Sequence, residues 1–334
     1  MRIAIDAMGG DHAPKDIVEG ALAAAREWNE IEVVLVGNAA EIEKYMTDKP
    51  ANLTVRHTEE IIEADDEPVK AVRRKKDSSM VVAGRMVREK EADAMISAGN
   101  TGALMTTGLL VIGRIPGIER PALAPMIPTV NGNGLLALDL GANMDATAEQ
   151  LSQYAVMGSV YRNKVHGIDR PRVGLLNVGT EAMKGNELTK AAYPLMEQAP
   201  IHFIGNVESR DALRADCDVL VCDGFAGNIM LKSLEGAASV FFSVLKTEFT
   251  RTWYSKLAAA ILKPGILKFR KKFDYTEHGA APLLGVQGLV LKCHGSSDAN
   301  AIKNAVRQAK IALQNNLVSA ISTEIQSREV RETI

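Results

Sequence analysis

Four polar turns hold most of the chemical promise of this chain: Gly99-Asn100-Thr101-Gly102, Asp139–Asp145, Gly179–Glu187 and Gly224–Asn228. The last lies in DVLVCDGFAGNIMLK, Asp218–Lys232, which reads as a buried strand, a tight turn and a helix start, with Asn228 where the helix opens. A helix N-terminus presents unpaired N–H groups and the positive end of its dipole, so it is a natural anion site. Lys184, in GTEAMKGNE, is either a surface lysine or a cation for an oxyanion or phosphate. His294, in CHGSSD, either orients a substrate or caps local structure. Each turn alone is a weak signal, because Gly and Asn are simply good turn residues. Four at the ends of consecutive strands of one parallel sheet would share a rim, where such sheets bind ligands. The chemistry expected is the holding of an anionic substrate.

Other chemistries lack their residues. There is no G-x-x-x-x-G-K-[ST] loop, no G-x-G-x-x-G fingerprint and no G-x-S-x-G elbow. The six histidines are scattered, so neither a metal nor a cofactor is expected. Cys222 falls among apolar strand residues and reads as packing, while Cys217 and Cys293 have no evident activating partner.

The elements that must position the turns follow from periodicity. Short apolar runs at Arg2–Asp6, Glu32–Gly37, Leu53–His57, Ala122–Ile127, Gly134–Leu140, Arg172–Val178, Ile201–Gly205 and Val286–Cys293 read as strands. Helices are expected at Ile17–Trp28 behind Pro14, at Ser78–Lys90, at Ala146–Asn163 capped by Asp145, at Leu188–Gln198, at Ser209–Ala215, and at Ala299–Ser322 capped by Asp298. Strand–turn–helix alternation over most of the length predicts a three-layer α/β/α architecture with a largely parallel sheet. Residues 1–322 then form one domain, or two interleaved lobes, followed by a polar, frayed tail at 323–334.

One stretch breaks the pattern. Val240–Phe273 carries eight basic residues against one acid, Glu248, and gathers Phe241, Phe242, Phe249, Trp253, Tyr254, Phe269 and Phe273. Trp253, Tyr254, Leu257, Ala258, Ala260 and Ile261 share one arc of a helix expected to end at Pro264-Gly265. Such a projecting arm suits the headgroup layer of an anionic membrane, or a sister subunit. The run Asp65–Lys76 is either a solvated helix start or a basic greeting for an acidic partner.

A formal net charge of −2 argues against general nucleic-acid binding, and 4% aromatics leaves few stacking platforms. Three cysteines make no disulfide framework, and the N-terminus has no apolar signal core. A cytoplasmic setting is expected.

In order, IAIDAMGGDHAP, ISAGNTGALM, ALDLGANMD, LLNVGTEAMKGNE, VCDGFAGNIMLK and KCHGSSDANAI resemble the PlsX-type acyl-acyl carrier protein:phosphate acyltransferases, over about residues 1–322. The resemblance implies transfer of a long-chain fatty acyl group from acyl carrier protein to inorganic phosphate. The acyl phosphate would supply phospholipid synthesis through a glycerol-3-phosphate acyltransferase. It further implies a metal-free homodimer, held peripherally at the membrane surface, with a fold related to isopropylmalate/isocitrate dehydrogenases and phosphate acetyltransferases. Lys70–Lys76 or Lys268–Lys272 would meet the acidic carrier protein. On this reading Lys184 and Asn228 contact the oxyanion or phosphate. Gly99–Gly102 and Gly227 supply N–H groups, Asp139 and Asn143 orient them or place a proton, and His294 adjoins the substrate. The rivals are a CoA-dependent phosphate acetyltransferase, a decarboxylating dehydrogenase, and a membrane scaffold without chemistry.

Overall fold

Strands and helices alternate as expected, but the strands divide between two sheets. The computed structural model describes residues 1–214, 216–272 and 280–332. Ala215, Phe273 and the side chains of Lys268–Lys272, invoked above, lie outside the described residues. The strands are β1 (Arg2–Asp6), β2 (Glu32–Gly37), β3 (Leu53–His57), β4 (Ala94–Ser97), β5 (Ala122–Leu123), β6 (Met126–Ile127), β7 (Leu135–Leu138), β8 (Arg172–Asn177), β9 (His202–Glu208), β10 (Val219–Val221), β11 (Ala281–Leu284) and β12 (Leu289–Lys292). The helices are α1 (Lys15–Glu27), α2 (Ala39–Glu43), α3 (Pro68–Arg74), α4 (Ser79–Arg88), α5 (Thr101–Thr107), α6 (Ala148–His166), α7 (Glu187–Gln198), α8 (Gly224–Thr250), α9 (Trp253–Lys272), α10 (Ala299–Gln314) and α11 (Leu317–Glu332).

The first sheet runs β3-β2-β1-β4-β12-β11-β5 and the second β6-β7-β10-β8-β9. Pairing is parallel from β3 to β12 and from β7 to β9, while β11, β5 and β6 pair antiparallel. The single rim expected from sequence is therefore two rims. Apolar strand runs accept any parallel neighbour, so the runs alone do not say which strands pair.

Apolar faces fix the layers. Ile17, Val18, Ala21 and Leu22 bury one side of α1, which packs on α10. Gly20 makes that approach possible, since a Cβ there would stand 2.5 Å from the Ala299 carbonyl. Helix α6 lies between β7 and β10 on one side and α10 and α11 on the other. Its Arg162 is fully buried and donates to the Asn133 and Gly134 carbonyls, both at 3.1 Å.

Several boundaries move. Thr147, not Asp145, caps α6, in a reciprocal box with Gln150. Helix α8 opens at Gly224, capped by Asp223, four residues before Asn228. Asn316, at φ 50°, separates α10 from α11. The tail expected to fray is helical to Glu332, because Leu317, Ile321 and Ile325 recur every fourth residue and are buried. Helix α9 continues through Pro264 to Lys272 rather than ending at Pro264-Gly265, carried on by strong helix formers.

Helix α8 is 27 residues, about 40 Å long at 1.5 Å per residue. Its first turns are buried at Gly224, Gly227 and Met230; its outer part exposes Val240, Phe241 and Val244. By length and composition it could cross a membrane, yet its base is built into the second sheet. It packs on α9, where Trp253 is 77% exposed, Leu257 59% and Ile261 74%; Ala258 is exposed as well.

Candidate functional site

Strands β7, β10 and β8 lie side by side, so the loops after them share the second rim. At the end of β7, the Asp139 N–H donates to the Cys222 carbonyl at 2.8 Å and the Cys222 N–H returns to Leu138 at 2.6 Å. The Asp139 side chain is fully buried and accepts from the Ala142 and Asn143 amides, at 3.0 and 2.5 Å. Burial pushes its carboxyl above the ordinary range, and the amides that it binds oppose that rise. Asn143 donates its side-chain amide to Gln150 at 2.7 Å and Tyr154 at 3.3 Å. Asp139 and Asn143 therefore shape this loop.

The start of α8 is not the open anion site expected. Gly224 N–H donates to Asn143, Phe225 and Ala226 N–H groups donate to the Asp223 carboxylate, and Gly227 N–H donates to the Asp223 carbonyl. Every leading amide is engaged, so Gly227 supplies none to a ligand. Glycine is needed there for another reason: a Cβ on Gly227 would stand 2.0 Å from the Asp139 carbonyl oxygen. Asn228 lies half-buried in α8, beside Gly141, whose φ is +125°.

After β8, Asn177 donates to the Lys184 carbonyl at 3.1 Å, and Lys184 N–H donates to Glu181. The Lys184 side chain passes over Gly179 and is exposed, with no ion pair among the described residues.

On the first rim, β1, β4 and β12 end together. Asp6, buried at the end of β1, accepts from Ser79 and Ser97 hydroxyls, both at 2.6 Å. Ser97 in turn accepts the Gly99 N–H at 3.0 Å, which removes Gly99 as a ligand donor. Asn100 caps α5 at Ala103 and donates to the Ala64 and Asp66 carbonyls, tying the charged loop to the rim. Thr101 and Gly102, the first two residues of α5, hold positions whose N–H groups a helix leaves unpaired. His294 is exposed and its Nδ1 meets Ser296 Oγ at 2.8 Å and the Ser296 N–H.

Two cavities flank α8. One, of about 670 Å³, is lined from both sheets: Thr101 and His294 from the first rim, Leu140 and α8 residues Leu231, Lys232 and Leu234 from the second. Asn228 stands one turn before Leu231 and Lys232, on the same helix face. The other, of about 1100 Å³, is lined by Asn177, Gly185, Asn186, Asp223 and Ile229. The structure thus sets Asn228 beside Gly141 and brings Thr101 together with His294, and it places the neighbours of Lys184 around the second cavity. Sequence reasoning missed Asp6, Ser79, Ser97 and Lys292; the Asp ending RIAID, after four strand residues, was the available signal.

None of the three cysteines is poised as a nucleophile. All are buried; burial pushes Cys217 and Cys293 up to about 12 and Cys222 well above the usual thiol range.

A family model described as "Fatty acid synthesis protein" matches residues 1–320. A phosphate acyltransferase from Brevibacillus brevis is 58% identical over 334 residues, the whole of both chains. One from a Geobacillus species is 56% identical over 326 residues, 98% of this chain and 99% of that one. Among solved structures, a phosphotransacetylase from Streptococcus pyogenes aligns with a TM-score of 0.62 at 18% identity, covering 98% of this chain and 94% of that one. The EutD phosphotransacetylase from Staphylococcus aureus gives 0.57 at 16%, covering 93% and 94%. The structural likeness speaks for the fold, and the sequence identity for the family: this chain belongs to the fatty acid synthesis protein family, as one of its phosphate acyltransferase enzymes.

Proposed function

We propose that the acyl donor is a long-chain acyl thioester of acyl carrier protein and that inorganic phosphate attacks it directly. A phosphate oxygen bonds to the carbonyl carbon and the C–S bond breaks. The proton of the phosphate hydroxyl ends on the thiol sulfur, giving acyl phosphate and free thiol. Phosphate is already a competent nucleophile, so the protein must hold the anion, fix its approach and stabilise the tetrahedral oxyanion. Lys184 and Asn228 take the oxyanion or phosphate, and the Thr101 and Gly102 amides replace the engaged Gly99 and Gly227 donors. The observation that carries this reading is the cavity shared by the two rims, with Thr101 and His294 beside a largely apolar wall. The product would feed phospholipid synthesis through a glycerol-3-phosphate acyltransferase.

The deciding experiment supplies labelled phosphate with either acyl carrier protein or CoA carrying the same acyl chain. Label entering acyl phosphate from the carrier-protein donor supports the proposal. Turnover with acyl-CoA alone points to a phosphotransacetylase-like specificity, and no product from either points to a scaffold. Donor docking has its own test. Lys70 pairs with Glu67 and Lys75 with Asp66, whereas Arg73, Arg74 and Lys76 are exposed. Arg73→Glu with Arg74→Glu should raise KM for the acidic carrier-protein donor about tenfold and leave KM for phosphate unchanged; an unchanged donor KM excludes this patch.

The arm suits a peripheral seat at the inner face of the membrane, with a second copy of the chain as homodimer partner. Leu257→Glu should abolish flotation with anionic vesicles while acyl phosphate formation in solution stays within about twofold. Undiminished flotation would remove the α9 face from membrane contact.

A further inference from the structure

The first rim buries a lysine. Lys292 ends β12, between β4 and β11 in the sheet, and is only 8% exposed. It lines the 670 Å³ cavity with Thr101, Cys293, His294 and Ser297. Its Nζ donates to the Cys293 carbonyl and, at 3.4 Å, to Ala98. It has no ion pair among the described residues; Asp6 and Asp11 act on it only from farther off. An ammonium withdrawn from water without a salt partner is costly to the fold, and such groups concentrate where an anion is to be met. Burial lowers its hold on the proton, while Cys293, Asp6 and Asp11 partly restore it.

The rest of the cavity is suited to a chain. Leu123, Met126, Ile127, Leu140, Leu231 and Leu234 belong to its apolar wall, and the volume is in the range of small-molecule sites.

We propose that Lys292 is a further catalytic residue, whose ammonium meets the phosphate and then the oxyanion of the tetrahedral intermediate, while the apolar wall of the same cavity takes the fatty acyl chain. This rests on the direct-attack reading above. As the phosphate oxygen bonds to the carbonyl carbon, the carbonyl oxygen gains the negative charge and a Lys292 N–H donates to it. As the C–S bond breaks, that charge returns to the carbonyl and the thiol leaves with the proton from phosphate.

Lys292→Met tests it, because methionine keeps the length and packing of the side chain and removes the charge. A lysine that only packed would be replaced without loss per folded molecule, whereas replacing a buried charge by an apolar residue often leaves stability equal or higher. The expected result is a Tm equal to or above that of the parent, kcat/KM lower by about 10²–10³-fold, and loss of the rise in Tm that phosphate gives the parent. A folded Lys292→Met protein within threefold of parental activity overturns the proposal. Should that protein not fold, a crystal structure of the unaltered enzyme with inorganic phosphate decides. Phosphate within hydrogen-bond distance of Lys292 Nζ upholds the proposal, and phosphate bound elsewhere overturns it. If the unaltered enzyme makes no acyl phosphate from any thioester, the direct-attack reading fails and this inference with it. If it does and Lys292→Met does equally, only this inference fails.

Discussion

Lys184→Ala is expected to lower turnover by about 10²–10³-fold, the usual loss on removing one oxyanion donor, with the fold intact. The side chain is exposed and carries no ion pair among the described residues, and surface changes of that kind move stability by only about 0.5 kcal/mol. The loop does not depend on the ammonium either. It is held through the Lys184 backbone, to Asn177 and Glu181, and alanine keeps both bonds. Parallel measurement of kcat and Tm separates the outcomes: unchanged Tm with collapsed kcat places the cation in the reaction, whereas near-normal kcat removes it. The neighbours of Lys184 line the 1100 Å³ cavity and Lys292 lines the 670 Å³ one, so the two variants also report which side of α8 meets the reacting atoms.

Gly227→Ala should destabilise the fold strongly. The new Cβ would lie 2.0 Å from the Asp139 carbonyl oxygen and 2.7 Å from Cys222 Sγ. Neither can yield easily, because the Asp139 N–H donates to the Cys222 carbonyl, the Cys222 N–H to the Leu138 carbonyl, and the Cys222 thiol to the Asp139 carbonyl. The base of α8 or the whole Asp139 loop must move, at a cost of about 3 kcal/mol or more. Gly236→Ala, about two and a half turns along the same helix, is the control. A Cβ there meets nothing within 4 Å, and alanine is the better helix former by ~1 kcal/mol. Calorimetry should therefore show Tm falling for the first variant and holding or rising for the second. Equal transitions in the two would refute the crowding argument.

Periodicity found nearly every strand and the long helices, because each needs only its own apolar pattern. Asp298 is the cap that the pattern predicts, its carboxylate accepting the Ala301 N–H at 2.8 Å. Asp145 is not a cap, and Asn228 does not open its helix. In each case a second capping residue stood within a few positions, and tertiary contacts chose between them: Gln150 answering Thr147, and two amides converging on Asp223. The division into two sheets was hidden because partner choice depends on the packed helices. Lys292 was passed over for a related reason: a lysine closing an apolar strand looks solvated until its neighbours in the sheet are known. Leu317, Ile321 and Ile325 did carry a helical signal, and the polar residues around them masked it.

Asp6 and Asp139 deserve to be set side by side. Each is a buried carboxylate that gathers the donors of one loop, and burial raises each above its unfolded value. A group with a raised folded pKa adds stability while protonated and withdraws it as pH climbs through that pKa. As pH climbs above the ordinary aspartate range, these two groups therefore withdraw stability even as they keep their loops in shape. The enzyme surrenders part of its folding margin so that both rims are already rigid before any substrate arrives, and the ordering entropy is settled during folding, not at binding.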